Sequence, residues 1–122
     1  MPLLQFDTTL SLSDQEKESF AMLVMERYAE EMTEDHVAIT LRKRDSADVY
    51  LGRAVDGPLL FLDAEIRQGR PFEYKRAFAL AVMEYAADQF EVPETNLKVI
   101  FTEHRGNEMM GIDRVGGKWD GE

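Results

Sequence analysis

The sequence predicts an α+β fold in which duplicated β-α-β units form a four-stranded mixed sheet backed by two helices. Three observations predict it: an internal repeat, two segments in each repeat whose apolar residues alternate with period two, and a helical apolar stripe between them. A chain of 122 residues suits one compact core. We therefore expect a single domain over residues 1–122, with repeat units 2–57 and 58–122.

The repeat begins at two prolines, each followed by two leucines. Pro2-Leu3-Leu4 recurs as Pro58-Leu59-Leu60, at an offset of 58 − 2 = 56 residues. After a slippage of two residues, six positions of the first copy match six of the second: Phe20, Ala21, Val24, Met25, Glu26 and Ala29 match Phe78, Ala79, Val82, Met83, Glu84 and Ala87. Chance rarely gives such a run, so both copies should fold as the same unit.

The first copy contains the pattern strand, helix, strand. Leu4, Phe6 and Thr8 alternate with polar residues, which is typical of a half-buried strand. Ser13 and Glu16 form the sequence signature of a capping box, which predicts that a helix starts at Ser13. Apolar residues then follow at helical spacing and again in alternation: Phe20, Leu23, Val24 and Tyr28 predict the helix, and Val37, Ile39 and Leu41 predict the second strand.

The second copy repeats this plan. Residues 59–66 form the predicted strand, and Pro71 suits the first position of a helix because proline lacks the N–H that would be unsatisfied there. Apolar residues mark the rest of the unit: Phe78, Ala81, Val82 and Tyr85 on the helix, and Leu97, Val99 and Phe101 on the closing strand. Parallel pairing within each unit, with a right-handed crossover, follows from this order.

The remaining segments are less regular. We expect a loop over 45–48, a short extra strand over 49–51, and an irregular glycine-containing tail from His104 onward. Most methionines should fill the helix core, and Trp119 should cap an apolar patch or contact a partner subunit. Because two helices cover only one face of a four-stranded sheet, something must shield the other face. We expect a homotrimer to do so.

Composition excludes several classes of function. The chain has no cysteine, which excludes disulfides, thiolate nucleophiles and sulfur-ligated metals. A net charge of −10 disfavours nucleic acid and anionic lipid as partners. No apolar run approaches the roughly 20 residues that a membrane-spanning helix needs, and the start lacks the pattern of a signal peptide, so we expect a cytoplasmic protein. His36 and His104 are isolated in the sequence, which indicates surface histidines and no metal site.

Several segments resemble the tautomerase superfamily. Residues 66–70 (Ile-Arg-Gln-Gly-Arg), the helix with Lys75, residues 98–103 (Lys-Val-Ile-Phe-Thr-Glu) and residues 110–112 (Met-Gly-Ile) are similar to 4-oxalocrotonate tautomerase. Residues 67–70 and the segment Asp-Val-Tyr-Leu-Gly at 48–52 are similar to cis-3-chloroacrylic acid dehalogenase, which is likewise a fused pair of units. The resemblance implies the β-α-β fold that this superfamily shares with macrophage migration inhibitory factor (MIF), and a trimer.

The resemblance also implies a catalytic role for Pro2. Removal of Met1 would leave its secondary amine free, and burial and nearby arginines would lower the pKa of that amine toward neutrality, where a general base is most effective. Such a base would move a proton within a small enol or 2-hydroxydienoate acid without any cofactor. Arg70 and Arg67 are the predicted catalytic partners, since a guanidinium binds a carboxylate with two hydrogen bonds. Lys98 and Met110 complete the predicted substrate-binding set.

Other functions remain open at this point. Met110 stands where the tautomerase has an aromatic wall, and Gly111 and Ile100 replace a glutamate and a tyrosine of the dehalogenase, which disfavours dehalogenation. A shifted alignment would bring in Glu108, so a hydratase stays possible, as does a β-keto acid decarboxylase with protonated Pro2 as general acid. The rival from another class is a non-catalytic trimeric binding protein, which retention of Met1 would favour. On composition alone, Arg67 and Arg70 would pair with Glu65 or Glu73 in solvent.

Overall fold

The computed structural model describes residues 1–117 and consists of two helices packed on one face of a four-stranded sheet. The main elements are β1 (Leu3–Thr8), α1 (Asp14–Met32), β2 (Ala38–Lys43), β3 (Leu60–Arg67), α2 (Phe72–Phe90) and β4 (Leu97–His104). A small hairpin follows, formed by β5 (Met110–Gly111) and β6 (Arg114–Val115). The predicted α+β fold with duplicated β-α-β units is therefore confirmed.

The sheet has the strand order β2-β1-β3-β4. Pairing is parallel within each unit, between β1 and β2 and between β3 and β4, and antiparallel where β1 meets β3. At that junction Phe6 lies opposite Leu62, its own counterpart in the repeat, because 6 + 56 = 62. A pseudo-twofold axis therefore passes through this residue pair, and the two ends of the central strands are equivalent in backbone.

The two helices correspond at the slipped offset. Adding 58 to the bounds of α1 gives 14 + 58 = 72 and 32 + 58 = 90, the bounds of α2. Each helix ends at a residue in the left-handed conformation, Thr33 with φ 56° and Glu91 with φ 55°. The capping box at Ser13 is confirmed, since both of its reciprocal hydrogen bonds form. Pro71 is not the first helical residue as predicted but the N-cap, because its ψ of 157° is extended.

The core lies between the helices and one face of the sheet. The side chains of Leu4, Phe6, Leu62 and Ile66 alternate toward it and are buried. Aromatic contacts join the layers: the rings of Phe6 and Phe20 meet edge to face at 4.9 Å between centroids, and the rings of Tyr28 and Phe78 do so at 5.0 Å. Edge-to-face pairs of this kind add to the stabilisation from apolar burial.

The opposite face, here called the open face, carries the alternate residues of each strand. It is mostly polar and includes one strongly exposed apolar residue, Ile100, at 53%. Its members are Ala38, Thr40, Arg42, Leu3, Gln5, Asp7, Phe61, Asp63, Glu65, Arg67, Lys98, Ile100, Thr102 and His104. Neither helix covers these side chains.

Some local predictions were wrong. Residues 49–51 form no strand, because the Leu51 carbonyl accepts a hydrogen bond from the N–H of Ala54 in a turn instead of pairing with a strand. Two methionines predicted for the helix core are exposed, Met22 at 62% and Met25 at 42%. Trp119 lies outside the described residues. Within residues 1–117, neither helix combines the length and apolar character needed to cross a membrane.

Candidate active site

Pro2 lies at the beginning of a central strand. It is buried, and its carbonyl oxygen accepts a hydrogen bond of 3.0 Å from the N–H of Ala38, which fixes the residue against β2. Met1 precedes it, and the terminal ammonium of Met1 lies 3.4 Å from Oε2 of Glu34. An amine at this end of β1 therefore faces a carboxylate.

Glu34 connects the charged groups around this end of the sheet. It follows α1, one residue after the left-handed cap Thr33. Its Oε1 lies 3.3 Å from Nη2 of Arg67 and 3.9 Å from Nη2 of Arg70, and only 16% of its side chain is exposed. The carboxylate of Glu34 is thus surrounded by two guanidinium groups and the terminal amine.

Sequence reasoning missed Glu34, although the repeat contained a signal for it. Its counterpart in the second unit is residue 34 + 58 = 92, which is Val92, a buried apolar residue. The equivalent position therefore holds a carboxylate in one copy and a buried valine in the other, which marks it as a place where the two units differ in chemistry.

Arg67 is the more accessible of the two predicted arginines. It ends β3, where continuation of the antiparallel register would set it opposite Met1. Its Nη1 donates a hydrogen bond of 3.1 Å to the carbonyl of Gly117, and 17% of its side chain is exposed. Among residues 1–117, Arg67 pairs with Glu34 and not with Glu65 or Glu73, because the loop after α1 lies over the end of β3.

Arg70 is directed into the protein. Its side chain is fully buried, its Nε donates to the Met32 carbonyl at 2.8 Å, and its guanidinium carbon lies 5.9 Å from the centre of the Tyr28 ring. Burial lowers the pKa of Arg70, while Tyr28 and Glu34 oppose this shift. Gly69, with φ 122°, makes the turn that brings Arg70 back beneath α1. Arg70 therefore acts first as a cation at the C-terminal end of a helix, which stabilises the helix dipole.

Tyr28 is a second residue that the sequence did not mark as part of a site. It is fully buried, and its hydroxyl has no hydrogen-bond partner among residues 1–117. Burial raises the pKa of Tyr28 far above its usual value, and the carboxylate of Glu34 adds to this effect while the arginines oppose it. The hydroxyl is therefore neutral and lies within the field of the Glu34–arginine cluster.

Lys98 lies at the other end of the sheet. It pairs with Phe61 near the start of β4, whereas the Pro2 end of β1 is level with Thr102, because Leu3 pairs with Glu65 and Glu65 pairs with Thr102. Four residues of strand correspond to about 13 Å. Lys98 instead lines an open pocket of about 400 Å³ with neighbours that include Tyr50 and Ile100. Within one chain, the structure does not bring Lys98 to Pro2.

Met110 lies in the tail, close to the N-terminal residue but facing solvent. Its side chain is 62% exposed. The adjacent Gly111 touches Met1, since an added Cβ at Gly111 would lie 2.9 Å from the Met1 Cε. In the same hairpin, Nη1 of Arg114 lies 3.3 Å from Nδ1 of exposed His36. The hairpin of β5 and β6 therefore covers the start of the chain.

An open pocket of about 430 Å³ lies between the turn after β3 and the tail. It is lined by seven residues: Gln68, Gly69, Arg105, Gly106, Asn107, Gly116 and Gly117. Gly117 is also the residue that Arg67 contacts, so this pocket adjoins the arginine cluster. Glu108, the alternative water-activating residue, is held by Arg105 at 3.2 Å, and this hydrogen bond lowers the pKa of Glu108.

A separate group of titratable side chains lies on the open face. Nε2 of His104 lies 2.7 Å from Oε1 of Glu65, and this contact lowers the pKa of Glu65. Burial raises the pKa of the neighbouring Asp63, as do its hydrogen bond to Glu65 and the charge of Asp7. This group is part of the sheet surface and not of the arginine cluster.

No protein-family model matches this sequence, and no curated protein matches it significantly. Several solved structures, however, do match this chain. N1, a member of the cis-3-chloroacrylic acid dehalogenase family, superposes with a TM-score of 0.83 at 17% identity over 95% of this chain and 84% of that chain. The W0 fused 4-OT symmetric trimer gives 0.78 at 20% identity over 95% and 96% of the two chains. FG41 malonate semialdehyde decarboxylase, inhibited by 3-bromopropiolate, gives 0.74 at 18% identity over 88% and 87%. The chain has the fold of the tautomerase superfamily.

Proposed function

We propose that this protein is a cofactor-free tautomerase that moves a proton within small enol or 2-hydroxydienoate acids, with Pro2 as base once Met1 is removed. The observation that carries the proposal is the position of Pro2, buried at the start of a central strand, beside the cluster of Glu34, Arg67 and Arg70. The fold shared with the tautomerase superfamily supports it.

The proton transfer requires only the amine and the substrate. The neutral nitrogen of Pro2 takes the proton from the 2-hydroxyl group of the enol, and the ammonium returns it to C3 or, in a dienol, to C5. The enol C–O bond becomes a carbonyl, a C–H bond forms, and the double bonds shift accordingly. Burial and the positive charge of Arg67 disfavour the ammonium form, whereas the carboxylate of Glu34 favours it. The proposal requires that the first two effects outweigh the third, so that the resting amine is available as a base.

Two arginines contribute in different ways. Arg67 is partly exposed and adjoins the open pocket, so it binds the substrate carboxylate. Arg70 adds positive charge to the site and acts as a positioning residue, since its bond to Met32 fixes the end of α1 and hence Glu34. Met110 borders the site through the tail hairpin.

The proposal includes a homotrimer. The open face has no helix to cover it, and solved structures of fused 4-OT are trimers. In this arrangement Lys98, which lies far from Pro2 in its own chain, assists at a site of a neighbouring subunit.

The test combines mass and activity. Intact mass establishes whether Met1 is absent, and ketonisation of phenylenolpyruvate and 2-hydroxymuconate is then followed with wild type, Pro2→Ala and the control Pro58→Ala. We expect loss of at least about 100-fold in rate for Pro2→Ala and a near wild-type rate for Pro58→Ala, whose nitrogen is in a peptide bond. Retained Met1, or equal rates for both variants, would contradict proline catalysis and favour a binding protein.

One observation favours a second candidate, decarboxylation of a β-keto acid. With Met1 present, its terminal ammonium lies 3.4 Å from Oε2 of Glu34. A carboxylate near the Pro2 amine of the processed chain would stabilise the protonated form that a general acid requires. The structural likeness to malonate semialdehyde decarboxylase is compatible with this chemistry. Release of carbon dioxide from a 3-oxo acid, dependent on Pro2 and without ketonisation, would establish it.

A further inference from the structure

The feature that carries a further inference is the carboxylate of Glu34 inside a cationic site. It is held 3.3 Å from Arg67 and 3.9 Å from Arg70, at the place where the proposed reaction requires a substrate carboxylate to bind. Among the described residues, with neutral Pro2, the formal charges of Glu34, Arg67 and Arg70 sum to 1 + 1 − 1 = +1. One further carboxylate neutralises it, whereas two leave an excess negative charge.

We propose that Glu34 is a specificity-determining residue that selects substrates with one carboxylate over substrates with two. This inference rests on the proposed function, because it assigns a substrate class to the same site. The first carboxylate of a ligand shares Arg67 with Glu34. A second carboxylate in reach of the cluster is repelled by Glu34, and like charges brought together in a partly buried site disfavour binding strongly.

A ligand does not readily displace Glu34, because the residues just before it are anchored at the end of α1. The carbonyl of Met32 accepts the bond from buried Arg70, and Thr33 holds the left-handed turn with φ 56°. Glu34 itself is mostly buried, and its Oε1 lies near the guanidinium groups of both Arg67 and Arg70. The negative charge is therefore a fixed part of the site.

The adjoining pocket offers little compensation for a second carboxylate. Its lining includes one cation, Arg105, and that guanidinium is already paired with Glu108. The other lining residues carry no charge. An apolar or neutral substrate tail fits this pocket better than an ionised one.

Two ligands of equal length test the inference. 2-Oxohexanoate and 2-oxoadipate have the same six-carbon chain and differ in the terminal carboxylate. Their dissociation constants are measured by isothermal titration calorimetry for the Met1-processed wild type, Glu34→Gln and Asp35→Asn. Asp35→Asn removes the same charge one residue away, from an exposed position. Gln at 34 keeps an oxygen for Arg67 but loses the charge.

We expect the wild type to bind 2-oxohexanoate more tightly than 2-oxoadipate. In Glu34→Gln the ratio of the two dissociation constants should shift about tenfold toward 2-oxoadipate, and in Asp35→Asn less than about twofold, because an exposed charge is screened. An unchanged ratio in Glu34→Gln, an equal shift in Asp35→Asn, or binding of neither acid to the wild type would each overturn the inference. If the ratio of dissociation constants shifts in Glu34→Gln but ketonisation does not depend on Pro2, the role of Glu34 in charge selection stands and only the catalytic proposal is refuted.

Discussion

Nε of Arg70 donates a hydrogen bond of 2.8 Å to the carbonyl oxygen of Met32, the last residue of α1. This bond joins the turn after β3 in the second unit to the helix end of the first unit. Met32 lies two residues before Glu34 in the chain, so the geometry of the charged cluster depends on this bond. Arg70, which the sequence predicts as a catalytic partner, is therefore also important for stability.

Arg70→Ala should lower the free energy of unfolding by about 3 kcal/mol, because it leaves a buried carbonyl without its cation and removes a buried charge partner of Glu34. Arg67→Ala should cost only about 1 kcal/mol, since 17% of its side chain is exposed whereas that of Arg70 is fully buried. Urea unfolding of both variants measures the difference. Equal losses would show that Arg70 has no special structural role.

Arg67→Ala should instead weaken binding of 2-oxohexanoate by roughly tenfold or more, because a charge-assisted bond to the carboxylate is lost. The matched control is Arg76→Ala, on α2 and outside the arginine cluster. Calorimetric titration measures both dissociation constants. Unchanged binding in Arg67→Ala would exclude this residue as the carboxylate ligand.

Tyr28→Phe should leave stability unchanged or raise it by up to about 1 kcal/mol, because the buried hydroxyl has no partner among the described residues and its removal avoids a desolvation cost. Tyr85→Phe is the control, since the Tyr85 ring also packs against an aromatic ring, that of Phe20, but Tyr85 is only partly buried. Thermal and urea unfolding report the effect. A loss above about 1 kcal/mol in Tyr28→Phe would mean that the hydroxyl makes a stabilising hydrogen bond.

Asp63→Asn should stabilise the protein at neutral pH. The pKa of Asp63 is raised in the folded state, so its ionised form opposes folding; the favourable contribution exists at low pH and disappears as pH rises through the folded pKa. The gain should be about 0.5 kcal/mol because Asp63 is only partly buried within its own chain, and it should vanish below the usual carboxyl range. Unfolding at pH 7 and pH 3, with Asp88→Asn as control, measures it. A gain of the same size at both pH values would contradict this account.

The proposed trimer predicts a mass of 3 × 14.0 = 42.0 kDa in solution. Ile100→Glu places a charge on the open face and should shift the protein toward monomer, because burying an unpaired charge at an interface is costly. Met22→Glu, at an exposed position on α1, should leave the assembly unchanged. Sedimentation velocity separates the species. A monomeric wild type would refute the trimer.

The sequence predicted most of the fold because periodicity is local. Strands with alternating residues, the Ser13 cap and the repeat all appeared where expected. The prediction of a strand over 49–51 was wrong because a strand needs a neighbouring strand to pair with. The local sequence does not reveal that the Leu51 carbonyl accepts a hydrogen bond from Ala54 in a turn. The boundary at Pro71 differed by one residue, since proline suits both the cap and the first turn.

The site was less predictable, since its residues are brought together only by tertiary structure. Pro2, Arg67 and Arg70 do lie at one end of the sheet, as their placement in the repeat implied. Glu34 and Tyr28 join them through the packing of α1, which no local pattern reveals. Lys98 was chosen by its similarity to a family position. The strand register places it four residues, about 13 Å, along the sheet from the level of Leu3, on a strand that is not adjacent to β1.

The pseudo-twofold pairing of Phe6 with Leu62 has a meaning for protein engineering. The backbone provides two equivalent ends, and cleavage between Gly57 and Pro58 would give the second half a terminal proline of its own. That new amine would have Val92 where Pro2 has Glu34. Under the proposed function, the difference between the halves thus lies in the side chains at equivalent backbone positions, and a second active centre would require a carboxylate in place of the buried Val92 on an otherwise unchanged scaffold.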